Sequence, residues 1–158
     1  MLTRRRYLLG TGAALALLPL CGARAAEAFE VTKSEAAWRR LLSRDEYAVL
    51  REEATERAGS SPLLHEKRAG LYHCRGCDLA VYSSEHKYDS GTGWPSFWRA
   101  LPDAIGTKED NSFFATRTEV HCRRCGGHFG HIFDDGPPPT GERHCLNGLA
   151  LSFTPQPA

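Results

Sequence analysis

The chain has 158 residues, and its 20 basic and 19 acidic residues give a formal net charge of +1. This length allows one domain with a hydrophobic core. The near balance of charge argues against a nucleic-acid binder that depends on a basic surface, unless a local patch survives the averaging, so we expect no nucleic-acid partner.

The first 26 residues differ in composition from the rest of the chain. Arginines at positions 4–6 precede an apolar run that ends at Leu20, and a small-x-small pattern ends at Ala25. These features are typical of a secretory leader, because the apolar run is too short to span a membrane comfortably. Paired arginines followed by an aromatic residue and leucines resemble a twin-arginine signal. We therefore predict a signal peptide over residues 1–26, cleaved near Ala25, and an exported, periplasmic protein; an uncleaved leader would leave a membrane anchor.

Two amphipathic segments come next. Thr32 and Glu35 have the spacing of a capping box, as do Ser43 and Glu46, and apolar residues follow each pair at helical spacing. We therefore predict two short helices. From Gly70 onward, short apolar runs alternate with glycine, proline and aspartate, which indicates strands. The predicted strands are residues 71–73, 79–82, 112–120 and 145–153.

Two Cys-x-x-Cys pairs, separated by 44 residues, are formed by Cys74, Cys77, Cys122 and Cys125. Each pair can place both sulfurs on one tetrahedral ion, and four thiolates leave no open position, so this spacing predicts one structural zinc ion. Export favours disulfides instead, and two cross-links or a redox-active pair are the alternatives. The twin-arginine route carries folded proteins, so zinc could be bound before export.

Cys145 has no cysteine three residues away, and cleavage of the leader would remove Cys21. If residues 143–147 form a strand, its period of two places Arg143, Cys145 and Asn147 on one face. A nearby cation lowers the pKa of a thiol and favours the nucleophilic thiolate. The alternative is that Cys145 is a small buried apolar residue.

Three motifs are more specific than these spacings. Residues 87–97 (KYDSGTGWPSF), 128–137 (HFGHIFDDGP) and 143–147 (RHCLN) resemble the B-type methionine sulfoxide reductases, which reduce the R epimer of methionine sulfoxide. The resemblance implies a reductase domain over residues 32–155. It also implies a mainly β fold, with two antiparallel sheets, short helices before them and a structural zinc knot bound by the four paired cysteines.

The resemblance further implies roles for individual side chains. Cys145 would attack the sulfoxide sulfur and become a sulfenic acid. The other catalytic and substrate-binding positions implied are His131 and Asn147, then Trp94, His128, Asp135 and Arg143. Which histidine gives a proton is left open, because residues three apart lie on opposite faces of a strand unless Gly130 bends the chain.

One position departs from the family pattern. Many members carry a resolving cysteine where this chain has Thr92, and a hydroxyl cannot form a disulfide with a sulfenic acid. We therefore expect an external thiol, from a thioredoxin-like protein or a small molecule, to reduce Cys145. We also expect a monomer that acts on free or protein-bound methionine R-sulfoxide. The alternative function is an exported zinc-ribbon interaction module without catalysis.

Overall fold

The computed structural model describes residues 28–112 and 115–157. The predicted signal peptide, with its arginines and Cys21, lies outside these residues. Within them, no helix combines the length and the apolar character that crossing a membrane requires.

The helices are α1, Glu35–Leu41, and α2, Arg44–Glu52. The predicted capping box of α2 is present, since Ser43 and Glu46 exchange hydrogen bonds of 2.8 and 3.2 Å. The start of α1 differs from the prediction: Ser34, not Thr32, is the N-cap, and its hydroxyl accepts from the backbone N–H of Ala37.

Strands make up most of the remaining regular structure. In the described parts of the chain, they are β1 (Gly70–Cys74), β2 (Ala80–Ser83), β3 (Lys87–Tyr88), β4 (Ser96–Phe97), β5 (Ile105–Asp110), β6 (Arg117–Cys122), β7 (His128–Phe133), β8 (Arg143–Leu146) and β9 (Leu151–Pro155). They form a three-stranded sheet of order β2-β1-β9 and a six-stranded sheet of order β3-β4-β8-β7-β6-β5. All strand pairs are antiparallel, which confirms the predicted fold class.

Aromatic side chains pack the two sheets together. Tyr72 of β1, Tyr82 of β2 and Phe97 of β4 are fully buried. The ring of Phe97 lies 4.9 Å from that of Tyr72 and 4.6 Å from that of Tyr82, at tilted or edge-on angles. Trp38 and Leu50 bring the helices onto the same core. The strand that carries Cys145 is therefore anchored on a tightly packed base.

The predicted strand over residues 145–153 is wrong in one respect, because it is two strands in different sheets. β8 ends at Leu146, residues 148–150 form a short 3-10 turn, and β9 then joins the smaller sheet. The carboxylate of Glu56 causes the break, since it accepts the N–H groups of Gly148 at 2.6 Å and Leu149 at 3.2 Å. Alternation from Cys145 therefore does not continue into β9.

The predicted strand over residues 112–120 is shifted along the chain. β6 begins at Arg117 and continues to Cys122, so it reaches the first cysteine of the second pair. In the observed register of β6 and β7, Glu119 lies opposite His131.

Candidate active site and metal centre

Cys145 lies in the wall of a cavity of about 180 Å³. β7 and β8 are neighbours in the sheet, and their register places His131 directly opposite Cys145. Trp94, in the loop between β3 and β4, also lines the cavity. The lining side chains that are polar, ionisable or aromatic are Trp94, Arg117, His131, Phe133, Cys145 and Asn147.

The sulfur of Cys145 is only partly accessible, and its surroundings act on its pKa in opposite directions. Burial raises the pKa of the thiol and is the largest effect. The hydroxyl of Thr92, 3.9 Å from Sγ, and the guanidinium of Arg143 lower the pKa. The net pKa lies above the ordinary thiol value, contrary to the expectation from the nearby cation alone.

Arg143 is the cation that the sequence placed beside Cys145, and it is paired. Its Nε and Nη2 donate to the two carboxylate oxygens of Asp135 at 2.8 and 2.9 Å, and its guanidinium lies 4.3 Å from the centre of the Phe133 ring. This pairing shares the positive charge and weakens its effect on the sulfur. Arg143 and Asp135, which the resemblance implies as substrate-binding residues, form a bidentate pair and are not among the residues that line the cavity.

Gly130 bends β7 between the two histidines. A β-bulge interrupts the pairing with β6, because Val120 faces Gly130 whereas His121 faces His128. Gly130 has a φ of +156°, and a Cβ at this position would overlap the carbonyl oxygen of Cys145. The bulge brings both imidazoles to the same side of the strand, with ring centres 5.6 Å apart, as expected if Gly130 bends the chain.

The two histidines nevertheless differ in their surroundings. His131 lines the cavity, and its Nε2 lies 2.7 Å from Asp110 Oδ2. His128 is 3% exposed and its Nδ1 lies 2.7 Å from Glu119 Oε1. Burial lowers the pKa of His128 to about 4. His131 is thus the imidazole of the pair that a molecule in the cavity can reach.

Asn147 is buried, and backbone groups fix the orientation of its amide. Its Oδ1 accepts the N–H of Glu56 at 2.9 Å, and its Nδ2 donates to the carbonyl of Phe129 at 3.0 Å. An amide nitrogen carries two hydrogens, so one N–H of Asn147 is left for a bound molecule. The carbonyl of Glu56 also accepts the indole N–H of Trp94 at 3.1 Å, so this one loop orients two cavity residues.

Several residues of this site were not found from the sequence. Glu56 follows α2 and belongs to none of the sequence motifs, and the register of β5 and β6 was needed to connect Asp110 and Glu119 with the histidines. Arg117 lines the cavity and contacts Asp110, since its Nη2 lies 2.6 Å from Asp110 Oδ2. Functional histidines often have a carboxylate partner, but the distance along the sequence could not show that Asp110 pairs with His131 and Glu119 with His128.

The four paired cysteines form a metal centre away from this cavity. Their sulfurs all lie within 4.8 Å of one another, with Sγ–Sγ distances of 3.6 Å for Cys74 and Cys125 and 3.5 Å for Cys77 and Cys122. A tetrahedral zinc site with Zn–S bonds of about 2.3 Å places its sulfurs roughly 3.8 Å apart. The four thiols are free of disulfides and fit a structural zinc ion, as predicted.

The position of this centre explains what the metal does. Cys74 is the last residue of β1 in the smaller sheet, and Cys77 lies in the turn that follows it. Cys122 is the last residue of β6 in the larger sheet, and Cys125 lies in the turn that follows that strand. A zinc ion bound by all four would therefore join the two sheets. It has no open coordination position, so its role is structural.

Comparison with known proteins supports the same family. The SelR domain model matches residues 42–155. A peptide methionine sulfoxide reductase MsrB of Bradyrhizobium diazoefficiens is 50% identical over 128 residues, which cover 80% of this chain and 92% of that protein. The MsrB of Methanosarcina mazei is 47% identical over 126 residues, covering 79% of this chain and 90% of that protein.

The MsrB of Agrobacterium fabrum is 44% identical over 127 residues, which cover 80% of this chain and 94% of that protein. The matched region includes both cysteine pairs, the bulged strand and Cys145. These relatives are named as enzymes, which favours catalysis over an interaction module. The match to the SelR domain model and the similarity to these relatives show that this chain, with a thiol, an imidazole and an indole around one cavity, belongs to the MsrB family of SelR-domain proteins.

Proposed function

We propose that this protein reduces the R epimer of methionine sulfoxide, free or in proteins, with Cys145 as the nucleophile. The observation that carries the proposal is the set of four side chains lining one cavity: Trp94, His131, Cys145 and Asn147. A methyl sulfoxide has an apolar methyl group and a strongly polar oxygen on one sulfur. The indole of Trp94 offers an apolar wall for the methyl group, and His131 and Asn147 offer N–H donors for the oxygen.

The reaction removes the oxygen atom of the sulfoxide and oxidises Cys145 to a sulfenic acid. The thiolate attacks the sulfoxide sulfur while the oxygen takes up a proton, and a second proton releases the oxygen as water, which leaves a sulfur–sulfur bond. Water then cleaves this bond to give methionine, a sulfenic acid on Cys145 and one proton. Overall, the thiol and the sulfoxide become a sulfenic acid and a thioether, and the sulfoxide sulfur gains the two electrons that Cys145 loses.

His131 is the proton donor in this proposal. It faces Cys145 across β7 and β8 and lines the cavity, whereas His128 is buried behind it. The thiol of Cys145 is mainly protonated at neutral pH, since burial raises its pKa. Protonated His131 can therefore give its own proton to the sulfoxide oxygen and then take up the thiol proton, which it passes on as the second proton that releases water.

The sulfenic acid is reduced by an external thiol. Thr92 lies next to Cys145, and the other cysteines of the described residues belong to the four-sulfur cluster. No second thiol in these residues is placed to form a disulfide with Cys145. A thioredoxin-like protein or a small thiol therefore reduces Cys145 and completes the cycle. We further propose that the protein acts as a monomer.

The leader completes the proposal with a location. The arginines, the short apolar run and the Ala-Arg-Ala pattern support export of the folded, zinc-loaded domain through the twin-arginine route and cleavage near Ala25. The mass of the protein recovered from the periplasm of an expressing bacterium should match a chain that starts at Ala26. Full-length protein confined to the cytoplasm would contradict this part of the proposal.

Dithiothreitol-driven reduction of separated sulfoxide epimers tests the activity. We expect the R epimer of N-acetylmethionine sulfoxide to be reduced and the S epimer to be left. Cys145→Ser should lower kcat/KM by more than about 1000-fold, because it removes the nucleophile. Unchanged zinc content and circular dichroism in the variant serve as the folding control, and retained activity would remove Cys145 from the mechanism.

A single turnover without reductant tests the fate of the sulfur. Mass spectrometry with dimedone trapping should find one adduct on Cys145. An intramolecular disulfide that includes Cys145 would contradict the one-cysteine cycle.

A further inference from the structure

Asp110, at the end of β5, has a carboxylate fixed by several hydrogen-bond donors. Oδ2 lies 2.7 Å from Nε2 of His131 and 2.6 Å from Nη2 of Arg117. Oδ1 accepts the backbone N–H of Ser112 at 2.9 Å and its hydroxyl at 2.5 Å. Donors on both oxygens hold the pKa of Asp110 well below its usual range, so this carboxylate is ionised in the working protein.

His131 is therefore held against a fixed negative charge. Because the carboxylate is ionised, the hydrogen between the two groups is on Nε2, which donates to Asp110. The neutral imidazole is then the Nε2–H tautomer. When His131 becomes charged, the additional proton must be on Nδ1. Asp110 thus determines which ring nitrogen exchanges protons.

The charged and titratable groups around His131 come from four strands. Asp110 approaches from β5, Arg117 and Glu119 from β6, His128 from β7 itself and Cys145 from β8. Burial lowers the pKa of His131, Asp110 acts in the opposite direction, and Arg117 and His128 lower the pKa further. In this group, Asp110 is the carboxylate directly bonded to His131.

We infer that Asp110 is a positioning residue whose carboxylate fixes the tautomer of His131 and stabilises the imidazolium that gives a proton to the sulfoxide oxygen from Nδ1. This inference rests on the proposed sulfoxide reduction. The inference adds to the proposed function that Asp110 controls the acid strength of His131. Asp110 is on a different strand from His131 and lies outside the three motifs that carry the family resemblance. Asp110 does not contact the reacting atoms and acts through His131.

The neighbouring pair of His128 and Glu119 has a similar arrangement but lies deeper in the protein. Glu119 is paired with a cation, since its second oxygen is 2.8 Å from Nζ of Lys108, much as Asp110 is paired with Arg117. The two pairs differ in burial, because 4% of the His128 side chain is exposed against 15% of the His131 side chain. The pair that contacts the cavity is thus the one suited to carry a mobile proton.

Nuclear magnetic resonance of the zinc-loaded Cys145→Ser protein tests the inference without relying on activity. With ¹⁵N-labelled histidine, neutral His131 should show the chemical shifts of the Nε2–H tautomer. Asp110→Asn removes the charge but keeps a hydrogen-bond acceptor at the same place. In this variant, the His131 titration midpoint should fall by about one pH unit. An Nδ1–H tautomer, or an unchanged midpoint in Asp110→Asn, would overturn the inference.

The pH profile of kcat provides the second readout. Loss of the His131 proton should limit the rate on the alkaline side, so Asp110→Asn should move that limb about one unit lower. The rate at pH 8 should then fall about 10-fold, with a smaller loss at pH 6. Glu109→Gln is the matched control, because it removes one charge from an exposed neighbour on the same strand.

Different results identify different failures. A loss by the same factor at every pH in Asp110→Asn would mean a purely structural role and would overturn the inference. Failure of the unaltered enzyme to reduce the R epimer would contradict the proposed function, while the tautomer measurement would still report on Asp110. If Asp110→Asn does not fold, the tautomer in Cys145→Ser protein with an intact Asp110 still decides the matter.

Discussion

Thr92 combines two properties at one position. Its hydroxyl oxygen lies 3.9 Å from the sulfur of Cys145, within reach of a polar contact. It also lies in the position where many family members carry a resolving cysteine. A hydroxyl there can polarise the sulfur and lower its pKa, but it cannot accept the oxidised sulfur in a covalent bond. In the proposed cycle, this side chain would therefore determine whether oxidation of Cys145 ends in a sulfenic acid or a disulfide.

Thr92→Cys should restore an internal resolving step. Because the side chain at this position already contacts Cys145, a thiol there should condense with the sulfenic acid after one turnover and release water. Intact-mass measurement should show loss of two thiol hydrogens, and dimedone labelling should fall at least about 10-fold relative to the unaltered protein. Thr92→Ser is the control, since it keeps a hydroxyl. Undiminished dimedone labelling in Thr92→Cys would show that the two side chains cannot approach closely enough.

At the scale of elements, the bulge in β7 affects the positions of both His131 and Cys145, the proposed proton donor and nucleophile. Gly130 lies between His128 and His131 in sequence and faces β8, where its hydrogen occupies the space next to the Cys145 carbonyl. The absence of a side chain therefore does two things: it permits the backbone bend and it allows β8 to approach β7. The positions of the imidazole and of the sulfur depend on the same residue.

Gly130→Ala should consequently affect both stability and catalysis. A methyl group would overlap the Cys145 carbonyl and require an unfavourable φ, which should lower the free energy of unfolding by about 1–3 kcal/mol. Displacement of His131 from Cys145 should lower kcat by roughly 10- to 100-fold. Urea unfolding and epimer kinetics measure the two effects. Gly141→Ala is the comparison, since Gly141 has a φ of +75° but open space around it, and equal effects in both variants would argue against a steric role for Gly130.

The same elements show what the sequence could and could not predict. The capping box at Ser43 and the cysteine pairs depend on residues within a few positions of each other, and both were predicted correctly. The end of β8 depends on Glu56, whose carboxylate binds Gly148 from 92 positions away. The pairing of Asp110 with His131 depends on the register of three strands. Local sequence patterns carry no information about such contacts, so the residues that support the site could be identified only from the structure.

At the scale of the whole molecule, the cysteine cluster lies before the start of β7, and the cavity lies farther along this strand. The cluster uses the turn that leads into β7, and the cavity uses His131 near its middle. The backbone of this turn also binds a helix residue, since Arg51 Nη1 donates to the carbonyl of Cys125 at 3.0 Å. A bound metal would thus stabilise the start of the strand that carries His131, together with the contact between the two sheets.

Loss of the metal should therefore weaken the whole fold, although no catalytic step uses it. Cys77→Ser removes the most exposed sulfur of the four, so it leaves the smallest packing defect. We expect substoichiometric zinc and a Tm lowered by roughly 10–20 °C, because structural zinc contributes several kcal/mol to folding. Metal analysis and calorimetry measure both effects, with Cys145→Ser as the control that should keep its zinc and its Tm. An unchanged Tm in metal-free Cys77→Ser would show that packing alone joins the two sheets.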